Sequence, residues 1–200
     1  MRCLLSTQCL PYPLFDYNII DSVFFSVQKG FGLPAGLGVW IVNDKCIAKA
    51  NALAAKGIPI GTYHNLPTLL QNSKKNQTPE TPNVLAIYLL GKVIEGMLSK
   101  GIEKIRKETE YKSAVLYQVL ENHSLCSAFI KEREYQSPTV ITVDCGANLD
   151  KIAAALIDNG LHPGDGYGEF KKTQLRFANF PTHSKEDFEK LADILESLKS

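Results

Sequence analysis

The sequence predicts an α/β protein in two parts, and three features support that fold class. Two short apolar segments, residues 21–27 and 38–42, are rich in Val, Phe, Ile and Trp, which is typical of buried strands. A long helical pattern follows Pro82. Beyond residue 139, strand and helix patterns alternate, as they do in a small two-layer α/β domain.

Composition limits the function classes that need to be considered. The 200 residues are 44% hydrophobic and 22% charged, as in ordinary globular proteins, and the formal net charge of +1 predicts neither a nucleic-acid nor a membrane partner. No apolar run is long enough to span a membrane. The five cysteines are scattered without a CxxC pair, so we expect reduced thiols, no metal site and a cytoplasmic location.

In the first part, the two strands are joined by a glycine-rich connection that permits a tight turn. Asp44 is predicted to cap a helix that closes at Gly57. Residues 57–80 hold three prolines and a polar run, which predicts a loop.

Thr81 and Pro82 predict the start of the longest helical segment, with Thr81 as N-cap and Pro82 at the first helical position. Gly101 interrupts this pattern, and a second helix is expected to continue to about His123. The change to helical periodicity predicts a domain boundary here, with domains at residues 1–84 and 85–200.

The rest of the chain predicts two strands and two helices. Residues 139–145 form an apolar strand pattern, and residues 148–160 form a helix capped by Asn148 and ended by Gly160. Residues 173–180 alternate like a half-buried strand. The last helix starts with a capping box, in which Ser184 precedes Asp187 by three residues.

Lys29 lies between the first apolar strand and the glycine-rich connection. Most lysines in such places simply reach into water. At the mouth of an apolar strand, however, a partly desolvated amine favours the neutral, nucleophilic form that a Schiff base with an aldehyde cofactor requires. Lys29 is therefore a candidate nucleophile.

The segment SVQKGFGLPAGLGVWIV, with LPYPLFDYNIID before it, resembles the cofactor-lysine region of class V (fold type I) pyridoxal-phosphate aminotransferases, and most closely the phosphoserine aminotransferases. The resemblance implies the end of the large cofactor-binding domain, with a mixed sheet, followed by the small C-terminal domain. It also implies that Lys29 forms the Schiff base with pyridoxal 5'-phosphate and, once the amino acid has displaced it, is the base that moves the proton between Cα and C4′. Gln28 would contact the cofactor phosphate.

Thr81, in NQTPETPNVLAIYLLG, corresponds to a Thr-Pro that in this family binds the cofactor phosphate of the other subunit. The anionic Glu80 stands where the family usually has Asn or His before this threonine, so Thr78, preceded by Gln77, is a rival alignment. The resemblance therefore implies a homodimer, in which Thr81 completes the partner's site.

Arg176, in TQLRFANF, corresponds to the family's arginine that grips the substrate α-carboxylate. A planar guanidinium suits bidentate carboxylate binding, whereas an arginine in a strand more often lies at an edge and reaches solvent. Where the family has a His-Arg pair for the substrate phosphate, this sequence has Lys171 and Lys172. Either lysine could serve the phosphate as a point charge, or both could simply be solvated surface residues.

The resemblance implies a transaminase of small amino-acid and 2-oxo-acid substrates. Phosphoserine:2-oxoglutarate transamination, in serine biosynthesis, is the first expectation, and serine–pyruvate or alanine–glyoxylate transamination is the alternative. The likeness covers only the family's C-terminal portion, and the aspartate that pairs with the cofactor ring nitrogen would fall near Leu5, where no acid occurs. We therefore also expect a truncated chain, which alone could be a catalytically incomplete, dimerising remnant.

Overall fold

The computed structural model describes residues 3–5, 11–61 and 63–199. The chain forms two compact units, one of which holds the described residues up to Lys29 together with Leu33–Ile94. The second unit holds Gly30–Gly32 and the chain from Glu95 onward. The predicted division between residues 84 and 85 stays a prediction. Among the described helices, none has the length and apolar character needed to cross a membrane.

The first unit contains a three-stranded sheet in the order β1-β2-β3, built from Cys3–Leu5, Ser22–Ser26 and Gly38–Val42. β2 runs parallel to β1 and antiparallel to β3. Both strands predicted around the glycine-rich connection are therefore confirmed. Side chains alternate along β2, because Val23 and Phe25 are buried whereas Phe24 is exposed.

Three helices begin in this unit: α1 (Asp44–Ala55), α2 (Leu66–Ser73) and α3 (Val84–Lys100). The prediction that Asp44 caps α1 was wrong. Asn43 is the cap, since its backbone is extended and its side chain accepts hydrogen bonds from the Lys45 and Cys46 amides.

The loop predicted for residues 57–80 was wrong in part, because it contains α2. Asn65 caps this helix by accepting from the Thr68 amide at 3.2 Å, and a proline follows in the first turn. The helix has only eight residues and ends in a polar run, so its apolar periodicity was too short to predict.

The start predicted for α3 was also wrong. Thr81 is not the cap; the helix begins at Val84, and the Asn83 side chain accepts from the Ala86 amide at 3.0 Å. Thr81 and Pro82 have the residue types of a helix start, but Asn83, which follows them, is an equally good cap. Its side-chain oxygen accepts from the backbone amide of Ala86, three residues later. The break at Gly101 is confirmed, with φ of +88° between α3 and α4 (Ile102–Glu121).

The second unit contains an antiparallel sheet in the order β4-β5-β7-β6. Its strands are Ser127–Ala128, Val140–Asp144, Gly164–Asp165 and Gln174–Ala178, numbered in chain order. β5 and β7 confirm the two predicted strands. β4 and β6 were not predicted, because two residues are too few to show an alternating pattern.

Helix α4, helix α5 (Leu149–Asp158) and helix α6 (Lys185–Ser197) complete this unit. Gly160, with φ of +77°, ends the predicted α5, and the capping box of Ser184 and Asp187 is confirmed. Asn148 does not cap α5 with its side chain, because its amide donates to the Leu125 carbonyl instead. Short 3-10 turns lie at Arg133–Tyr135, Gly146–Asn148 and Gly168–Lys172.

One apolar core joins the helices to the inner face of the sheet. The helices contribute apolar side chains such as Leu116 and Leu195, which are fully buried. The central strands contribute Ile141, Val143, Leu175 and Phe177. The expected two-layer arrangement is therefore present within this unit.

A buried polar link fixes the segment that follows β7. Asn179 is fully buried, and its Nδ2 donates to the Thr109 and Pro138 carbonyls, both at 2.8 Å. Lys112 on α4 is also buried, and its Nζ donates to the Phe180 and His183 carbonyls at 3.0 and 2.8 Å. Since buried carbonyls without donors are costly, these two side chains hold the connection between β7 and α6.

We expect Asn179→Ala to lower the free energy of unfolding by about 2 to 3 kcal/mol, because it leaves two buried carbonyls without their donor. The matched control is Asn159→Ala, where an exposed amide donates to the Ala155 carbonyl. Urea denaturation of both variants checks this. An equal loss in both would contradict the buried link.

Lys112 predicts a specific pH dependence of stability. Burial lowers the pKa of Lys112 to about 8, against the opposing charge of Glu108. Since the unfolded lysine holds its proton to higher pH, this group makes the free energy of unfolding rise between pH 8 and about 10.5, by on the order of 3 kcal/mol. Lys112→Met should lack that rise.

The rise is measured as wild type minus Lys112→Met, from urea denaturation at several pH values. Burial raises the pKa of Cys126 and Cys145 to about 11 and 12, so the contribution of these thiols to the free energy of unfolding falls with pH in the same window. Because both proteins contain the two thiols, this contribution cancels when the variant is subtracted from the wild type. The exposed Lys151→Met is the control and should keep the rise. A difference that stays flat with pH would refute the prediction.

Candidate active site

Gln28 and Lys29 lie directly after β2, where the chain enters the glycine-rich connection. Backbone hydrogen bonds close this connection at Val27, whose amide donates to the Leu37 carbonyl and whose carbonyl accepts from the Leu33 amide. Both side chains are half-buried. The end of a buried strand thus holds an amide and an amine side by side.

Neither side chain has a bonding partner among the described residues. Lys29 forms no ion pair or hydrogen bond there, and the Gln28 Oε1 is buried without a partner. A buried polar atom without a partner is uncommon in proteins and calls for an explanation, such as a bound group. An amine next to it, free of carboxylates, is available to an electrophile.

Space is open beside this turn. A Cβ built on Gly36, which has φ of +121°, would meet nothing within 4 Å. Glycine is needed there for its backbone conformation, not for packing, and the absence of a side chain leaves room for a ligand to approach the backbone.

Gly32, three residues after Lys29, has no room for a side chain on the side that faces Thr182. It has φ of +65°, and a Cβ there would lie 2.2 Å from the Thr182 methyl carbon. Only glycine fits both the conformation and the contact. Within the second unit, Gly32 therefore lies directly against the segment between β7 and α6.

Thr81 lies in the exposed, irregular segment before α3, and no described residue bonds its hydroxyl. The rival Thr78 donates its hydroxyl to the Glu80 carbonyl at 2.5 Å. A ligand oxygen would therefore have to displace that bond at Thr78 but not at Thr81. This difference favours Thr81 of the two.

Arg176 lies in the middle of β7 within the second unit. It pairs with Thr142 on β5 and with Gly164 on β6, so β7 is not an edge strand there. Leu175 and Phe177 point into the core, and Arg176 therefore projects from the opposite face. Its Nε donates to the Asp165 carbonyl at 2.5 Å.

An aromatic ring lies against the same guanidinium. The Tyr167 ring centroid is 3.7 Å from the Arg176 Cζ. Sequence reasoning missed both Tyr167 and the Asp165 carbonyl. The one available signal was the placement of Tyr167 between two glycines, in a loop shortly before the arginine strand.

The remaining candidates are less specific. Lys171 and Lys172 are exposed at the end of a 3-10 turn. Burial raises the pKa of the Cys126 thiol to about 11, which keeps it protonated and unreactive. In the part of the chain that the structure describes, no group of acidic, His and Cys side chains could hold a metal ion.

The structure brings Gln28 and Lys29 together and describes Thr81 in the same unit, whereas Arg176 belongs to the second unit. The acid expected near Leu5 falls on β1, whose residues are Cys and Leu and whose side chains lie outside the described part. The four site assignments therefore stay predictions, each with a defined local geometry.

Comparison with known proteins gives a consistent family. The sequence model of the family Aminotransferase class-V matches residues 15–163. The chain is 46% identical to a phosphoserine aminotransferase of Cytophaga hutchinsonii, and the two structures superpose with a TM-score of 0.93. The match covers 98% of this chain and 54% of the Cytophaga chain.

Two further relatives lie at lower identity. The phosphoserine aminotransferase of Nocardioides sp. is 29% identical over 179 residues, which are 88% of this chain and 48% of the relative. The pyridoxal-phosphate-bound phosphoserine aminotransferase of Trichomonas vaginalis shares the fold, with 17% identity, a TM-score of 0.79, and coverage of 97% of this chain and 53% of that one. The chain thus spans about half the length of the proteins it matches.

The residues after β2 fit pyridoxal phosphate. A Schiff base requires an amine without competing partners, as at Lys29, and a phosphate requires donors, which the Gln28 Nε2 can supply, since no described residue bonds it. These observations concern the lysine side of such a site.

The packing at Gly32 predicts a graded loss of stability. Gly32→Ala should lower the free energy of unfolding by about 1 to 2 kcal/mol for its positive φ, and further for the overlap with the Thr182 methyl. Gly160→Ala, with a similar φ and open space, should show only the first loss. Adding Thr182→Ser to Gly32→Ala removes the methyl and should restore the Gly160→Ala level in urea denaturation. If Thr182→Ser restores nothing, this contact does not form in solution.

Proposed function

This chain belongs to the aminotransferase class-V family, and we propose that it supplies the cofactor lysine and the carboxylate-binding arginine of a phosphoserine:2-oxoglutarate aminotransferase. The observation that carries the proposal is the half-buried Lys29 amine without a protein partner, next to the buried, unbonded amide oxygen of Gln28. Pyridoxal phosphate is the cofactor of the family, and the phosphoserine aminotransferases quoted above support the substrate.

Pyridoxal phosphate, when bound, supplies an electron-withdrawing ring that stabilises negative charge at the Cα of an amino acid. Lys29 would hold the cofactor through its Nζ. Once an amino acid has displaced it, the same Nζ would act as the base that moves the proton from the Cα of the amino acid to the C4′ of the cofactor. Gln28 would donate to the phosphate through its amide NH2, and Thr81 would donate its hydroxyl to the phosphate in a partner subunit.

Arg176 would bind the α-carboxylate of the amino acid. Its Nε is engaged by the Asp165 carbonyl, so the two terminal nitrogens form the edge that can accept a carboxylate in a bidentate manner. Lys171 or Lys172 would serve the substrate phosphate as a point charge. Serine–pyruvate or alanine–glyoxylate transamination would need no such lysines, and activity with phosphoserine distinguishes these substrates.

We also propose that the protein acts as a homodimer, in serine biosynthesis and in the cytoplasm. The first half of α3 supports dimerisation, because Val84, Leu85, Ile87 and Tyr88 are all exposed apolar side chains on one helix. The buried thiols of Cys126 and Cys145 form no disulfide within the described residues, as expected in a reducing compartment.

Attachment of the cofactor at Lys29 tests the function. We expect pyridoxal phosphate to give the purified chain a visible absorbance band, and borohydride reduction to leave a mass increment on the peptide that holds Lys29. An amino acid should shift the band, because it displaces the lysine. Absorbance spectra and peptide mass mapping provide the measurement.

The controls are Lys29→Ala, which should lose both signals, and Lys45→Ala, an exposed lysine of the same unit, which should keep them. Phosphoserine, serine and alanine are then compared as amino donors. A reduced label spread over several lysines and unaffected by Lys29→Ala would mean that the chain by itself does not bind the cofactor in this way, as expected of a catalytically incomplete remnant.

A further inference from the structure

The Tyr167 ring has no role in the core, yet it has a fixed place. About two thirds of its surface is exposed, at 66%. Replacing an exposed aromatic ring with a polar side chain usually costs a protein little stability, so burial does not explain why a ring lies here. The ring contacts the guanidinium of Arg176, whose Cζ is 3.7 Å from the ring centroid.

The backbone around Tyr167 holds the ring in place. The Gly166 amide donates to the Gln174 carbonyl at 2.8 Å, and the Tyr167 carbonyl accepts from the Phe170 amide at 3.0 Å. A Cβ on Gly166 would lie 2.3 Å from the Phe170 carbonyl oxygen, so this position excludes any side chain. The turn is also anchored by Phe170, whose ring packs against that of Phe129.

Two contacts together fix the guanidinium of Arg176. The stacked ring sets the plane of the group and keeps water from one face, and the Asp165 carbonyl holds the Nε. No described residue bonds the two terminal nitrogens. The free edge of the guanidinium is therefore oriented before any ligand arrives, which lowers the entropy cost of binding a carboxylate.

We propose that Tyr167 is a positioning residue, which by stacking on Arg176 presents the terminal-nitrogen edge of the guanidinium to a substrate carboxylate. This inference rests on the carboxylate-binding role proposed for Arg176, but not on the cofactor. Tyr167 touches neither the carboxylate nor the reacting atoms; it acts through the arginine alone. Its hydroxyl has no part in the stack, so only the ring is required.

The test uses NMR spectroscopy of the labelled 200-residue chain, with glutarate as the probe and neither cofactor nor turnover. A stacked ring shifts the Arg176 side-chain resonances to lower frequency, and glutarate should shift them further. Tyr167→Phe should preserve both effects. Tyr167→Leu should lose the ring-dependent shift and bind glutarate about threefold to tenfold more weakly.

Three further variants make the result specific. Arg176→Gln should abolish glutarate binding, and Lys151→Ala, which removes an exposed lysine of the same unit, should leave the Arg176 response in place. Gly166→Ala keeps the Tyr167 ring but displaces the turn that holds it, and should therefore weaken glutarate binding as Tyr167→Leu does.

The proposal is overturned if Tyr167→Leu binds glutarate as tightly as the wild type, or if glutarate produces no change at Arg176 in the wild type. Failure of the aminotransferase function is a separate result: Lys29 then acquires no cofactor, while glutarate still binds at Arg176 in a manner that depends on Tyr167.

Discussion

The pairing of β7 with strands on both sides is the constraint on which the second unit depends. This pairing buries Leu175 and Phe177 in the core. Because successive side chains of a strand lie on opposite faces of the sheet, Arg176 projects from the other face. The same strand ends at Ala178, next to the buried amide of Asn179. The face from which the arginine projects is thus set by the packing of its neighbours, and contacts with Tyr167 and the Asp165 carbonyl then hold its guanidinium.

Sequence reasoning could predict this strand because apolar alternation is a local property, and the same holds for β2, β3 and the helices with clear periodicity. It failed at the starts of α1 and α3, where Asn43 and Asn83 take the roles assigned to Asp44 and Thr81. Several adjacent residues there are competent caps, and the choice depends on where the backbone first becomes helical.

The candidate site was predictable to a different degree at each residue. Lys29 and Gln28 belong to a continuous segment whose order of residues is distinctive, and Arg176 falls within a recognisable strand. Tyr167 could not be predicted, because its role arises from a strand pairing that brings Gly164 opposite Arg176 and so folds the following loop over the guanidinium. Short strands of two residues leave no pattern from which such a pairing could be inferred.

Lys112 and Lys29 are the two least exposed lysines of the described residues, and they show why burial alone does not identify a catalytic amine. Lys112 is the more buried, and burial lowers its pKa to about 8, which would suit a nucleophile. Both of its hydrogen bonds, however, go to carbonyls of the β7–α6 connection, and its amine cannot leave them without exposing those groups. Lys29 is less buried but has no partner to lose within the described residues. The availability of the amine, more than its desolvation, therefore distinguishes the proposed cofactor lysine from the structural one.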